Sequence, residues 1–354
     1  MMMMMVMPPT PMDLLLPHAH SWDSFYHGKT VVVTGAGGFI GSHLVEALVR
    51  LGAKVKALVR YNSSSLWGHL EHFPATTLAH VEVVSGDITD ASCVRTLMQG
   101  ADVVFHLAAL IGIPYSYVAP QHYVNVNVQG TLNVLEMARL LGTPKIVHTS
   151  TSETYGTAKF TPITEAHPLQ GQSPYSASKI GADALVESYF RSFGTPVAII
   201  RPFNTYGPRQ SNRAFIPTVI SQLLTQPKIQ VGTLDTVRDL NFVTDTVAGF
   251  LAIGASKKTI GEVINIGSGR AVSMREVLKI VLELEGRPQF TVLEESPERV
   301  RPEASEVFLL QADATKAKAL VGWESTVTLE EGLALTVESI KLQVANYRKT
   351  GYHI

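Results

Sequence analysis

The sequence predicts an α/β protein in which a doubly wound parallel sheet is followed by a smaller C-terminal lobe of mixed α/β structure. Three observations support this. From residue 29 to about 205, short β-branched runs alternate with helical patterns, and such alternation builds a parallel sheet with helices on both faces. A glycine-rich turn, GAGGFIG at 35–41, stands between the first strand and the first helix, the context in which it binds a dinucleotide on a Rossmann sheet. Beyond residue 205 the alternation loosens into scattered strands and capped helices.

The elements follow in order. KTVVVTG reads as a buried parallel strand, and FIGSHLVEALVRLG as a helix stopped at Gly52. AKVKALVR and HVEVVSGD are the second and third strands, ASCVRTLMQG a helix, and ADVVFHLAA the fourth strand. A helix runs through NVQGTLNVLEMARLLG, then PKIVHTSTS is a fifth strand, SPYSASKIGADALVESYFRSFG a long helix and TPVAIIRPFN a sixth strand. In the lobe, AFIPTVISQLLTQ looks helical, and KIQVG and RDLNFV look like short strands. GEVINIGSG reads as a strand running into Ser273, whose SMRE is a capping box, and TLEE at Thr328 repeats that pattern. The expected organisation is an extension over 1–27, a Rossmann dinucleotide-binding and catalytic domain over 28–205, and a substrate-binding lobe over 206–354 with some segments returning to the core.

Composition excludes several classes. The chain has 354 residues, 45% apolar and 17% charged, which fits an ordered globular protein. A net charge of -1 gives no global pull towards nucleic acid. No apolar run approaches the ~20 residues that span a bilayer. The single cysteine, Cys93, permits no intrachain disulfide, so a cytoplasmic setting is expected. Cys93 lies in a helical pattern and reads as a buried structural thiol. The start, MMMMMVMPPTPMDLLLPHAH, has no basic n-region and no small-residue cleavage site, and reads as a loosely ordered extension.

In the glycine turn, Gly35 permits the tight bend, Gly38 lets backbone approach the pyrophosphate, and Gly41 allows close helix–strand packing. The N–H groups of the helix start, at Phe39 and Ile40, face the phosphates. The second strand ends in ALVRYNSSS with no acid. Arg60 stands there with Asn62 and Ser63. Such an arginine accommodates a 2′-phosphate or is simply solvated, so the expected cofactor is NAD or NADP.

Tyr175 and Lys179 form Y-x-x-x-K, which puts both on one helix face. A hydride-transfer enzyme acting on an alcohol needs a base for the hydroxyl proton. Tyrosine, with a pKa near 10, serves only if a neighbouring ammonium and a cationic nicotinamide lower it. STSETYG at 150–156 follows the fifth strand. Its Thr151 can share a hydrogen bond with the substrate hydroxyl, and its Glu153 adds a carboxylate; a plain Ser/Thr-rich turn is the alternative. His106 and His148 sit in apolar strands without a ligand cluster and read as satisfied core histidines, so no metal is expected.

GAGGFIG, SGDITD, HLAA, NVQGT, STSETYG, YSASK, RPFNTYGP and VRDLNFV stand in an order that resembles the extended short-chain dehydrogenase/reductase family of nucleotide-sugar epimerases, dehydratases and decarboxylases. The resemblance implies that Asp87 and Ile88 lie by the adenine, and that Leu107, Ala108, Ala109, Thr149 and Pro202 line the cofactor. It also implies that Asn127 braces the active site and that Asn204 approaches the sugar. Tyr115 and Tyr117 read either as a cover over the sugar ring or as ordinary packing. Arg213, Arg238 and Arg301 would hold the diphosphate. HLAALIGIPYSYVAP and RVRPEASEVFLLQAD are similar to the N-acetylglucosamine nucleotide 4,6-dehydratases of the legionaminic acid type, which implies a 4-keto-6-deoxy product, NDP-N-acetylglucosamine (UDP-GlcNAc or another carrier) being the substrate. Dehydratases of plain glucose nucleotides carry Thr-Asp-Glu where this chain has Thr151-Ser152-Glu153, which leaves the acid for the departing hydroxyl to Glu153 or to a relay through Ser152. The same string resembles UDP-glucuronate decarboxylases, and a C4-epimerase is a third option. Relatives pair through a four-helix bundle, so a homodimer through helices 120–142 and 175–193 is expected.

Overall fold

The computed structural model describes residues 22–294 and 302–344. Its centre is a seven-stranded parallel sheet: β1 (Thr30–Thr34), β2 (Lys54–Arg60), β3 (Val81–Gly86), β4 (Val103–His106), β5 (Ile146–Thr149), β6 (Val197–Pro202) and β10 (Val263–Ile266), in the order β10-β6-β5-β4-β1-β2-β3. Val31, Val32 and Val33 of β1 are wholly buried, because both faces of a parallel sheet are covered. Helix α1 (Phe39–Arg50) packs on one face with α6 (Val243–Ala255); α2 (Ala91–Met98), α3 (Gly130–Leu141) and α4 (Pro174–Phe193) pack on the other. The chain order reverses between β1 and β4, so a crevice opens at the carboxyl ends of these strands, where such sheets bind ligands.

Among the described residues, those after 205 do not form a separate body. β10 and α6 belong to the core layers, while β7 (Asn204–Tyr206), β9 (Val237–Phe242) and β11 (Ala271–Ser273) form a second sheet. β8 (Ile229–Val231) pairs with β12 (Val292–Glu294) in a third. Helices α5 (Phe215–Thr225), α7 (Met274–Leu284) and α8 (Leu329–Leu342) pack together beside them.

Four sequence readings need correction. Residues 22–27, placed in the loose extension, pack into the core: Trp22 and Tyr26 are buried, and the Tyr26 hydroxyl donates to the Leu251 carbonyl at 2.7 Å. GEVINIGSG does not run on to Ser273. The chain turns at Gly269, with φ +76°, while the Asp239 carboxylate accepts the Ser268 and Gly269 N–H groups, so two strands in two sheets replace one. At Ser273 only half a capping box forms: Ser273 accepts the Glu276 N–H, but the Glu276 carboxylate turns to Arg270. Thr328 and Glu331 complete theirs. Cys93 is half-buried, not buried, against Gly86, and its thiol is pushed up by burial.

Asp245, buried in α6, accepts the Ser325 and Thr326 hydroxyls and the Thr326 and Val327 N–H groups at 2.8–3.0 Å. It ties the segment before α8 to the core. Asp245→Ala leaves these donors without an acceptor, and urea unfolding should show a loss of about 3 kcal/mol or more; a loss under about 1 kcal/mol would assign the attachment to the apolar contacts alone.

Candidate active site

The phosphate turn is closed by contacts that only glycine permits. Gly35 has φ +68°, and a Cβ there would sit 2.9 Å from the Ala108 nitrogen. A Cβ at Gly41 would lie 2.2 Å from the Gly35 oxygen, so its role is close packing of the turn on itself. At Gly38 a Cβ would meet only the Gly35 oxygen, at 3.2 Å, and the far side is open. Gly38 is also the N-cap of α1 and offers no side-chain cap, so the N–H groups at Phe39 and Ile40 are left for a phosphate. This cradle fits a dinucleotide. A segment that sequence reasoning missed covers it: a Cβ at Gly37 would lie 2.4 Å from the Trp67 oxygen, and the His69 N–H donates to the Gly37 carbonyl at 3.0 Å. No periodicity marks that loop.

Around the cradle the expected residues divide. Arg60 and Ser63 are exposed at the end of β2. Asn62 uses both ends of its amide within its own loop, donating to the Arg60 and Leu66 carbonyls and accepting the Ser64 and Leu66 N–H groups. Asp87 accepts the Thr89 N–H and hydroxyl through Oδ1, and Ile88 is buried against Gly130. The Leu107 and Ala108 N–H groups donate to the Thr34 hydroxyl oxygen, which fixes the strand end that continues into Ala109. Thr149 Oγ1 and Asn204 Oδ1 are buried without a hydrogen-bond partner among the described residues, at the carboxyl edge that also carries Pro202.

The candidate reacting groups come from α4 and the loop after β5. Ser173 caps α4 reciprocally with Ser176, and Pro174 begins it, which aims Tyr175 and Lys179 along one buried face. Tyr175 is raised by burial; a hydrogen bond with Thr151 works against that, and the Glu153 charge adds to it. Lys179 is lowered to about 8 by burial, with the Asp183 charge opposing. In the protein alone, burial therefore sets the direction at Tyr175. Thr151 accepts the Glu153 N–H and caps the turn. Glu153 is half-exposed, whereas Ser152 is 2% exposed and turned inward.

Tyr123 was missed; its ring lies 6.2 Å from Tyr175 and 6.1 Å from Tyr115, which makes an aromatic wall. Tyr117 hydrogen-bonds Ser305 Oγ at 2.5 Å and so reaches the C-terminal lobe. Arg213 is exposed. Arg238 is buried, donates to the Val237 and Phe308 carbonyls and pairs with Glu306 at 3.2 Å. Arg301 lies outside the described residues. The helix over 120–142 widens into a π turn at Val124–Gln129, because the Asn127 amide is drawn out to the Leu110 N–H and carbonyl. His106 is satisfied on both nitrogens. His148 donates to Asp183 but its Nδ1 has no partner among the described residues, so it is only half satisfied. Asp183, also missed, accepts from Ser150, His148 and Arg201.

A Rossmann cradle beside a Tyr–Lys–Thr set defines an enzyme of the extended short-chain dehydrogenase/reductase class. Within it, the chain belongs to the GDP-mannose 4,6 dehydratase family, which matches residues 32–336. It is 34% identical over 314 residues to the UDP-glucose 4-epimerase of Mycolicibacterium smegmatis, covering 87% of this chain and 97% of that one. It is 31% identical over 339 residues to UDP-glucuronic acid decarboxylase 2 of Arabidopsis thaliana, covering 92% and 71%. The crystal structure of DesIV, a dTDP-glucose 4,6-dehydratase from Streptomyces venezuelae with NAD and TYD bound, superposes with a TM-score of 0.79 at 30% identity, covering 90% and 98%.

Lys179 loses its proton in the folded protein near pH 8, whereas an unfolded lysine keeps it to about 10.4. The unfolded chain binds more protons across that window, so this residue's contribution to stability rises with pH there. The urea midpoint of the wild type relative to Lys179→Met should increase between about pH 7.5 and about pH 9.5; a flat difference would mean that Lys179 stays solvated.

Proposed function

We propose that the chain is a nucleotide-sugar 4,6-dehydratase that converts an NDP-N-acetylglucosamine into its 4-keto-6-deoxy sugar. The observation that carries this reading is the half-exposed Glu153 carboxylate, close enough to act on the charge state of Tyr175. Transfer at C4 alone, as in an epimerase, leaves such a carboxylate without a task. The N-acetyl preference rests on the resemblance of the IPYSYVAP and RPEASEVF segments.

NAD is the expected cofactor, and Arg60, exposed and without a competing acid at the end of β2, supports tolerance of NADP. The bound nicotinamide supplies a hydride acceptor at C4 and a hydride donor at C6. Tyr175 removes the C4 hydroxyl proton. Its pKa must fall for that, and the positive charge of Lys179 with that of the oxidised cofactor acts in this direction. Thr151 shares the hydrogen bond at the reacting oxygen. The C4 ketone acidifies the C5 proton, which Glu153 takes and passes to the departing C6 hydroxyl, so water leaves. Ser152 is turned inward, which favours Glu153 for both steps over a serine relay. The proton gained by Tyr175 balances the one later added at C5.

A second reading, UDP-glucuronate decarboxylation, is favoured by one observation: the chain has Ser152 where an acid for a leaving hydroxyl would stand. A homodimer through the helices at 120–142 and 175–193 is supported by exposed Val124, Leu140 and Phe193 on them. Among the described residues no helix is long and apolar enough to cross a membrane, and a cytoplasmic setting suits a chain with one cysteine.

Mass spectrometry of the protein incubated with UDP- and GDP-N-acetylglucosamine should show loss of one water from one of them. Loss of carbon dioxide from UDP-glucuronate in a parallel reaction would move the assignment to the decarboxylase. Tyr175→Phe should lower turnover by about 10²-fold or more. Arg60→Ala should weaken NADP binding and leave NAD binding unchanged; equal retention of both would remove the role given to Arg60.

A further inference from the structure

The sheet beneath the site contains a line of hydrogen bonds in which each proton has one possible position. Thr34 closes β1, immediately before the phosphate turn. Its hydroxyl oxygen accepts the Leu107 N–H at 3.1 Å and the Ala108 N–H at 3.0 Å. Both lone pairs are then used, so its own proton goes to His106 Nδ1, 2.9 Å away. At the other end of the imidazole, Nε2 lies 3.0 Å from Thr131 Oγ1. The Thr131 hydroxyl is 2.6 Å from the Asn127 carbonyl, which can only accept. Thr131 therefore gives its proton to Asn127 and accepts one from His106 Nε2. Both ends independently require the same neutral tautomer, with Nδ1 accepting and Nε2 donating.

The line continues to the reacting tyrosine. The Asn127 amide nitrogen donates to Ser178 Oγ at 2.9 Å, and Ser178 donates to the Tyr175 carbonyl at 2.7 Å. Thr34, His106, Thr131, Asn127 and Ser178 are all buried. A protonated imidazole would point Nδ1–H at an oxygen with no lone pair left. Burial also holds His106 well below the ordinary histidine range, and the His148 and Lys179 charges push the same way.

We propose that His106 is a positioning residue that sets the spacing between the cofactor floor at Leu107–Ala108 and the turn of α4 carrying Tyr175. One rigid ring spans the two. Its Thr34 side holds backbone that faces the dinucleotide, and its Thr131 side holds the π turn that fixes Asn127 and α4. Each side of the ring is fixed by its own set of hydrogen bonds, so the two ends can be released one at a time. Hydride transfer tolerates little misplacement, of the order of 1 Å for about 10²-fold in rate, so a strut of fixed length here governs rate as well as folding. The rate half of this inference rests on the C4 oxidation proposed above; the affinity half does not.

The experiment is a split between two readouts on four variants. Dinucleotide affinity is measured by calorimetry with NAD, and turnover is measured at saturating NAD on the nucleotide sugar the wild type converts. Thr34→Val should weaken NAD about tenfold through the freed Leu107 and Ala108 N–H groups. Thr131→Val, isosteric and without a bond to the Leu107–Ala108 backbone, should leave affinity within about twofold and lower kcat about tenfold or more with little change in KM. His106→Leu should show both losses. His106→Gln, whose amide can accept at one end and donate at the other, should recover most of each. A purely structural role would lower the melting temperature of all four while the folded protein keeps affinity and kcat, and that result overturns the proposal. So does failure of His106→Gln to recover either readout. If His106→Leu does not fold, the two threonine variants decide the matter. Absence of wild-type turnover on every nucleotide sugar would overturn the proposed reaction alone, and the affinity arm would still stand or fall on Thr34→Val and His106→Gln.

Discussion

The catalytic face depends on one buried charge. Asp183 sits on α4 one turn beyond Lys179 and is wholly enclosed. Burial works to raise its carboxyl, but the hydrogen bond from His148 and the charges of Arg201, His148 and Lys179 outweigh that and hold it near 2. It accepts from Ser150 at 2.6 Å, from the Arg201 guanidinium at 2.9 and 3.3 Å, and from His148 at 3.2 Å. Removing one partner from such a site strands a charge and costs about 3–5 kcal/mol. The helix that carries Tyr175 and Lys179 is thereby held to β5 and β6 in one register.

The same network reaches the C-terminal lobe. Arg201 donates to the Tyr155 hydroxyl, Tyr155 donates to Asn265 of β10, and the Asn265 N–H donates to Glu165. The loop with Thr151 and Glu153 is thus anchored between a strand of the first half of the chain and one of the second. The network reinforces the pairing of β10 with β6, through which the two halves share a sheet. A site whose acid–base groups come from α4 and from the β5 loop needs those two elements fixed against each other, and Asp183 with Arg201 does so from below.

Opposing demands meet at Tyr175. Burial that excludes water from the reaction also raises the tyrosine and lowers Lys179 towards 8. Thr151 offsets part of this through its hydrogen bond. The resting protein therefore favours a neutral tyrosine. A positive charge arriving in the crevice shifts that balance towards the phenolate, which couples the state of the base to occupancy of the cradle.

Much of this was legible in the residues. The β-branched runs, the GAGGFIG turn, Y-x-x-x-K and STSETYG located the sheet, the phosphate turn and the reacting groups, because period, capping and glycine chemistry are local properties of a chain. The same locality explains what stayed hidden. Nothing near Asn62 marks it as a loop clamp, nothing near Arg238 announces Glu306, and Trp67 gives no sign that it covers Gly37. Ser152 and Glu153 are neighbours in sequence, yet one is buried and the other half-exposed. Which polar groups meet, which are desolvated and which charge prevails depends on contacts between residues far apart in the chain, and these exist only once the sheet has assembled. By itself the sequence determined the elements, their order and the chemistry they carry; the tertiary structure alone decided the partners and the burial that give each side chain its protonation state and its task.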